Sequence, residues 1–288
     1  MKSFKQNILK SFCKINLFLN VCKKDKKLKL HQIQSLIFIC SLYDEIKIKK
    51  IFIKRDIINF HGKFAYQVRK DNSVTQSLEL LRKKGYIKPE NYYKISINKK
   101  IPAFSGLGGG SSNSATIVKY FSKNKNFTTK DLNFFSNSLG SDFRLFFYSA
   151  KIYQKSLKNI IQIKSAKRFS FLIIYPFFNC STKSMYLKIN SIKKLESRFS
   201  FSLNSNTKFI QSLKNRDNSF EKVAIKKYPK LKIILNEIRK IKNCEFSRLT
   251  GSGSACFGLF LTQKSANLAQ KKIKKKFPKY WCVVCKTI

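Results

Sequence analysis

Acid, glycine and histidine are all scarce in this chain. Only 14 aspartates and glutamates stand against 60 lysines and arginines, a formal charge of +46 at pH 7 over 288 residues. There are two histidines, His31 and His61, ten glycines, five prolines and one tryptophan. The histidine shortage weighs against a zinc site. Cys282-Val-Val-Cys285 has no second Cys-x-x-Cys pair, and both histidines are distant in sequence. The eight cysteines are scattered through apolar segments and read as reduced, buried thiols of a cytoplasmic chain. No apolar run approaches the roughly 20 residues a membrane-spanning helix needs. The amino terminus carries the lysines of a signal peptide (Lys2, Lys5, Lys10). However, Lys14 and Asn16 interrupt its apolar run, and Val21 precedes Cys22 where a lipoprotein box requires a small residue. The expectation is a soluble, cytoplasmic protein with no membrane partner. No arginine-rich arm stands apart either, because the basic residues run the full length. Lysine, Ile, Asn, Phe and Tyr are used heavily, and their codons are AT-rich. Base-composition bias therefore accounts for the charge, with a dedicated polyanion surface as the other reading. No nucleic-acid partner is expected, and either reading tolerates an anionic small substrate.

Against this scarcity, four of the ten glycines fall in Gly106-Leu-Gly108-Gly109-Gly110, inside the stretch from Pro102 to Ala115. Glycine lets backbone N–H groups approach an anion closely. Ser114-Ala-Thr-Ile-Val-Lys-Tyr120 then reads as a helix, and a glycine turn feeding a helix N-terminus is suited to phosphate. Ser111, Ser112 and Asn113 add side-chain groups for oxygens, a metal ion or a cap. Neither common phosphate fingerprint fits. The P-loop ends in Gly-Lys-Ser/Thr, and no lysine stands there. The dinucleotide motif wants a sixth-position glycine, where this chain has Ser111. A flexible linker is the plainer reading of Gly/Ser runs, but Pro102, Leu107 and the following helix pattern count against it.

Taken in order, residues 12–22 read as a strand with Lys14 and Asn16 on one face and Cys13, Ile15 and Leu17 on the other. That polar face is either exposed or functional. A basic turn, Lys23 to Lys29, follows. Two strands, Leu30–Leu42 and Ile46–Ile53, are expected with a turn at Asp44-Glu45. His31, which opens the first, is either a surface histidine or a ligand contact. Asp71–Lys84 has helical spacing and a stop at Gly85. Tyr92–Asn98 is a strand leading through Lys99 and Lys100 into the glycine stretch, with a helix from Ser112 to about Ser122. Thr128-Thr-Lys-Asp131 starts a helix that Gly140 ends. Asp142 comes directly after, ahead of the apolar Phe143–Tyr148, as either a turn residue or a held carboxylate. Residues 150–168 suggest a strand or hairpin and a domain boundary near 155. Phe169–Pro176 is a strand, and Ser181–Tyr186 opens a helix or loop. Residues 187–217 look least structured. Glu221–Ile241 is helical around Pro229. Phe246–Thr250 leads into a second glycine cluster, Thr250-Gly-Ser-Gly-Ser254, and strands at 255–261 and 280–287 flank a basic helix, Ser265–Phe277. The layout is α+β.

Two glycine–serine clusters, one in each half, could hold a polyphosphate and its acceptor. Pro102-x-x-x-Gly106-Leu-Gly-Gly-Gly-Ser-Ser112-x-x-Ala115 resembles the ATP loop of the GHMP kinases. Lys14-Ile-Asn16, His31, Asp71-Asn72, Leu139-Gly-Ser-Asp142 and Leu249-Thr-Gly-Ser-Gly-Ser-Ala255 are similar to that family's other motifs, in the same order. Within the family the chain is similar to the branch whose acceptor is a cytidine-diphosphate-linked methylerythritol, in non-mevalonate isoprenoid precursor synthesis. The resemblance implies a two-domain α+β GHMP kinase fold, with an ATP-binding domain at 1–155 and a ferredoxin-like domain at 156–288 that flank the active-site cleft. It implies ATP and Mg²⁺ as cofactors, a small-molecule substrate, and a monomer or homodimer. The implied roles are Lys14 and Asp142 in catalysis, with Asp142 taking the proton of the attacking 2-hydroxyl and Lys14 keeping it ionised. Pro102, Gly106, Leu107, Gly108, Gly109, Gly110, Ser111 and Ser112 would surround the ATP phosphates, with Ser112 near Mg²⁺. Asn72 and Lys99 would contact adenine. Asn16, His31 and Tyr186 would bind the acceptor and its cytosine, and Gly251, Ser252, Gly253 and Ser254 its diphosphate. Two departures stand out. Leu28-Lys29-Leu30-His31 replaces Asp-Gly-Tyr-His, so Leu30 stands where an aromatic would stack, and Phe143-Arg144 replaces Val-Pro.

Overall fold

The computed structural model describes residues 8–25, 30–189, 192–196 and 205–288. Lys2, Lys5, Leu28 and Lys29, and parts of the 23–29 and 187–217 stretches, lie outside the described residues. The elements run β1 (Leu9–Lys24), β2 (His31–Ile51), β3 (Ile57–His61), α1 (Ser73–Lys83), β4 (Tyr92–Asn98), α2 (Gly109–Ser122) and α3 (Thr129–Leu139). They continue as β5 (Lys151–Gln154), β6 (Ile160–Gln162), β7 (Ser170–Tyr175), α4 (Thr182–Leu187), α5 (Asn206–Lys214), α6 (Glu221–Lys227) and α7 (Lys230–Arg239). The last four are β8 (Phe246–Leu249), β9 (Cys256–Phe260), α8 (Gln263–Lys276) and β10 (Trp281–Lys286).

The chain divides into two compact units that are not consecutive stretches. The first takes the described residues up to Cys13, then Leu42–Ala103 and Gly108–Tyr148; the second takes Lys14–Ser41, Phe104–Leu107 and Ser149–Ile288. The sequence reading placed a single boundary near 155. In the structure the last crossing falls at Ser149, and the hairpin from Lys14 to Ser41 groups with the second unit.

In the first unit the end of β2 pairs antiparallel with β4, Glu45 opposite Asn98, and β3 runs parallel to β4. α1 begins at its cap residue Asn72, and α3 has the reciprocal Thr128–Asp131 capping box that the sequence suggested. The helix faces meet in an aromatic cluster. Phe135 stacks on Phe143 at 6.0 Å, and Phe143 lies 5.0 Å from Phe147. One expectation fails here. β2 is a single strand of 21 residues, and Asp44, expected in a turn, sits within it with no exposed surface. Acidic residues favour turns because they compete for backbone donors, but Asp44 finds those donors without breaking the strand.

In the second unit β7 is central in a four-stranded antiparallel sheet ordered β10-β7-β9-β8. β5 and β6 form a hairpin within 150–168, where a strand or hairpin is expected, and β5 pairs with Ser35–Phe38 of β2. Pro229 separates α6 from α7, since its ring cannot continue a helix. α5 lies in a stretch the composition marked as unstructured, where Phe209, Ile210 and Leu213 are buried on one face. The core joins Leu172 and Ile174 of β7 to Leu231, Ile234, Leu235 and Ile238 of α7. All eight cysteines are unbridged. Burial pushes the Cys180 thiol up to about 11 and those of Cys244 and Cys282 up to about 12, so they remain protonated at neutral pH.

Candidate active site

The glycine stretch is divided between the two units. From Gly108 onward it belongs to the first, where Gly108 adopts φ +73° and α2 begins at Gly109, three residues earlier than expected. Gly109, Gly110 and Ser111 thus form the opening turn, whose N–H groups have no acceptor inside the helix and favour an anion. The turn is tied to its neighbours. Ser73 donates to the Gly110 carbonyl at 3.2 Å, and Ser114 donates to the Ser73 carbonyl at 3.0 Å. Ser112 is buried and accepts a hydrogen bond from Ser11 at 2.8 Å.

Asn72 and Lys99, expected against adenine, both have partners inside the protein. The Asn72 amide accepts from the N–H groups of Val74 (3.0 Å) and Thr75 (3.2 Å) and donates to the carbonyls of Arg69 and Lys70, so it serves as the α1 cap. The Lys99 ammonium is 3% exposed; it pairs with Asp44 and donates to Asn113 Oδ1 at 2.9 Å. An unpaired ammonium at that depth would be costly, and Asp44 is what makes the position tenable.

Asp142 also lies in the first unit. Gly140, at φ +99°, ends α3, and Asp142 sits partly buried in the opening turn of a 3₁₀ helix, Ser141–Phe147. The two departures beside it are absorbed by packing. Phe143 is wholly buried in the aromatic cluster, and the Arg144 guanidinium donates to Asn133 and Ser136 of α3. Side-chain contacts hold the turn in place of a proline.

The second unit gathers Lys14, Asn16, Gly106 and Gly251. Lys14 and Asn16 are 2% and 3% exposed, which removes the reading of an exposed polar face. The Lys14 ammonium donates to the Asn16 side chain, whose amide nitrogen donates to Ser35 at 2.8 Å. The Asn16 backbone N–H donates to Thr250 Oγ1 at 3.0 Å, and the Lys14 N–H to the Leu107 carbonyl at 2.9 Å. The two glycine clusters touch here. A Cβ on Gly106 would lie 2.1 Å from the Thr250 carbonyl oxygen; one on Gly251 would lie 2.8 Å from the Gly106 carbonyl oxygen and 3.0 Å from Lys14 Nζ. Both glycines have positive φ, +80° and +55°. Only glycine allows backbones this close in that conformation.

Asn218 secures the second cluster. Its amide donates to the carbonyls of Leu249 and Gly251, both at 2.8 Å, and accepts from Phe220 N–H at 2.9 Å. Ser252 shares a hydrogen bond with Thr182, and Ser254 donates to the Phe178 carbonyl at 2.6 Å. These two bonds help to hold the loop in shape. The His31 ring stacks on Tyr186 at 5.7 Å, and Nδ1 lies 2.9 Å from the Cys22 carbonyl. That nitrogen must carry a proton to bond a carbonyl, which leaves Nε2 for other partners. Leu30, beside it, is 57% exposed. Sequence reasoning missed Ser11, Asp44, Asn113's partners and Asn218. None of them carried a distinct signal: Asp44 stands beside Glu45, and Lys47, Lys49 and Lys50 follow in the same strand.

The family model described as the GHMP kinases N terminal domain matches residues 72–144, and that described as GHMP kinases C terminal matches residues 201–279. The 4-diphosphocytidyl-2-C-methyl-D-erythritol kinase of Pelagibacter ubique is 37% identical over 291 aligned positions, covering all of both chains. The chain belongs to this family of GHMP kinases. It is therefore a small-molecule kinase with ATP as phosphate donor. Among solved structures, a 4-(cytidine 5'-diphospho)-2C-methyl-D-erythritol kinase superposes with a TM-score of 0.73 at 19% identity, over 97% of this chain and 99% of that one. A homoserine kinase from Cytophaga hutchinsonii gives 0.66 at 18%, over 100% and 96%. At those identities the likeness establishes the fold, and it does not separate one acceptor from another. Among the described residues no helix is long and apolar enough to cross a membrane.

Proposed function

We propose that the chain transfers the γ-phosphoryl group of ATP to the 2-hydroxyl of 4-diphosphocytidyl-2-C-methyl-D-erythritol in the cytoplasm. The observation that carries this reading is the full-length identity to the Pelagibacter relative, 37% over all of both chains. Phosphoryl transfer asks the protein mainly for positioning and charge stabilisation. The opening turn of α2 supplies N–H groups for the ATP phosphates. Asp142 accepts the proton of the 2-hydroxyl, and Lys14 stabilises charge on the reacting oxygens. Asn16, His31 and Tyr186 bind the acceptor, and the backbone of Gly251–Ser254 its diphosphate.

Mg²⁺ neutralises phosphate charge in such a reaction. Among the described residues no group of three or more His, Cys, Asp or Glu side chains could hold a metal. That fits Mg²⁺, which arrives largely coordinated by phosphate and water and asks for one or two protein oxygens. The Ser112 hydroxyl and the Asp142 carboxylate are the oxygens we assign to it.

The direct test is ADP release with the cytidine substrate, homoserine and mevalonate offered in parallel. Turnover is expected on the first alone. Turnover on homoserine or mevalonate without the first would overturn the acceptor assignment. A second expectation concerns Leu30. Base–aromatic stacking contributes about 1–3 kcal/mol, so Leu30→Tyr should lower KM for the cytidine substrate about fivefold or more. An unchanged KM would mean that the base binds elsewhere.

A further inference from the structure

Beneath the opening turn of α2 lies a set of buried polar side chains, of which only Ser112 has a part in the reaction just described. Ser11 and Asp44 have no exposed surface, Asn113 and Ser112 are 2% exposed and Lys99 3%. All five belong to the first unit. Asp44 anchors the set. One carboxylate oxygen accepts the backbone N–H groups of Lys100 and Ile101, both at 2.8 Å; the other takes the Lys99 ammonium and Asn113 Nδ2, the latter at 3.0 Å. Asn113 Oδ1 accepts from Lys99 at 2.9 Å, and Asn113 Nδ2 also donates to Ser11 Oγ at 2.9 Å. Ser11 Oγ in turn lies 2.8 Å from Ser112 Oγ.

The chemistry of the two ends gives this chain a direction. An ammonium has only donors and a carboxylate only acceptors. Asn113 must therefore turn its oxygen to Lys99 and its nitrogen to Asp44, and the reversed amide would break both bonds. With Nδ2 so fixed, Ser11 Oγ accepts a hydrogen bond from Asn113. Its own single proton is then available for Ser112. Ser112 Oγ accepts on its inner side and keeps its proton for whatever lies beyond the turn.

We propose that Ser11 and Asn113 are positioning residues for phosphoryl transfer: the relay Lys99–Asn113–Ser11–Ser112 fixes the rotor of the Ser112 hydroxyl so that it donates to a phosphate oxygen of the bound nucleotide. This rests on the reading of the α2 turn as the nucleotide site. It also accounts for Lys99 and Asp44, which hold the amide of Asn113 in one orientation. A hydroxyl already aimed at the phosphate loses no rotor freedom on binding, so the relay acts on nucleotide affinity and not on the acceptor.

The test is a double-mutant cycle on Ser11 and Ser112, read as affinity for the non-hydrolysable β,γ-imido analogue of ATP with Mg²⁺, by calorimetry. Ser112→Ala should weaken binding about tenfold or more, and Ser11→Ala about fivefold. Ser11→Ala in the Ser112→Ala background should add nothing, because the group it acts through is gone. In steady state Ser11→Ala should raise KM for ATP by the same factor, leaving kcat and the acceptor KM within about twofold. Ser11→Cys keeps the shape with a weaker donor and should fall between wild type and alanine; it serves if the alanine variant does not fold. If Ser112→Ala weakens binding but Ser11→Ala does not, the relay is refuted and the nucleotide site stands. If the Ser11→Ala loss persists in full without Ser112, Ser11 is merely structural. If Ser112→Ala itself changes nothing, the nucleotide-site reading fails, and the relay with it.

Discussion

Asp142→Asn should lower kcat about a thousandfold while the affinity for ATP stays within about threefold of wild type, the loss lying within the range measured for general bases. The amide keeps the shape of the carboxylate and cannot take the proton of the attacking hydroxyl. Two effects compete in the binding step. Loss of a negative charge near the ATP phosphates favours binding, by Coulomb's law. Loss of an oxygen ligand for Mg²⁺ opposes it. Their near cancellation is what leaves affinity almost unchanged. The fold should tolerate the change, because the turn around Asp142 is held by Phe143 in the aromatic cluster and by Arg144 on Asn133 and Ser136. The measurement is single-turnover phosphorylation beside equilibrium nucleotide binding. If nucleotide binding is lost together with turnover, Asp142 belongs to the nucleotide site and another group takes the proton.

Much of this was legible in the sequence, and the residues that were not share a cause. The glycine stretch, the Thr128 capping box and the strand pairing within 150–168 follow local rules of backbone freedom and capping, and they appear where expected. Asp44 does not, because its burial depends on Lys99, Lys100, Ile101 and Asn113, all more than fifty positions away. The same long-range satisfaction explains Lys99, whereas Asn72 is a local case, its amide taken up by the cap bonds to residues 69–75. Each carries a polar group that motif matching assigns to a ligand, and each has it bonded within the protein. Asn218 is a further instance: nothing in its neighbourhood announces that it secures Leu249 and Gly251. Spacing along the chain indicates which segments are special. Which polar group faces outward depends on partners that only the fold brings near.

The contact between the glycine clusters is the most demanding packing feature near the site, and Gly106→Ala should expose it. Two penalties add. An L side chain at φ +80° costs about 1–2 kcal/mol. The new methyl would also meet Thr250 O at 2.1 Å, Thr250 C at 3.0 Å and Gly253 N at 3.1 Å, all backbone atoms with no rotamer to change. The second loop must then move as a body, yet it is held on several sides. Thr250 accepts from Asn16 N–H, and Asn218 holds the carbonyls on either side of it. Overpacking of this kind costs about 1–3 kcal/mol, so the expected loss of stability is about 2–5 kcal/mol in total. In the fraction that folds, the displaced Gly251 no longer sits beside Lys14, and kcat/KM for the acceptor should fall at least a hundredfold. Gly85→Ala separates the two penalties, since Gly85 has φ +72° with nothing within 4 Å of an added Cβ. That variant should lose only the backbone part, about 1–2 kcal/mol, and keep its turnover. Urea unfolding and steady-state kinetics on both variants make the comparison. Equal stability losses with full activity in Gly106→Ala would show that the two loops do not meet in the working enzyme.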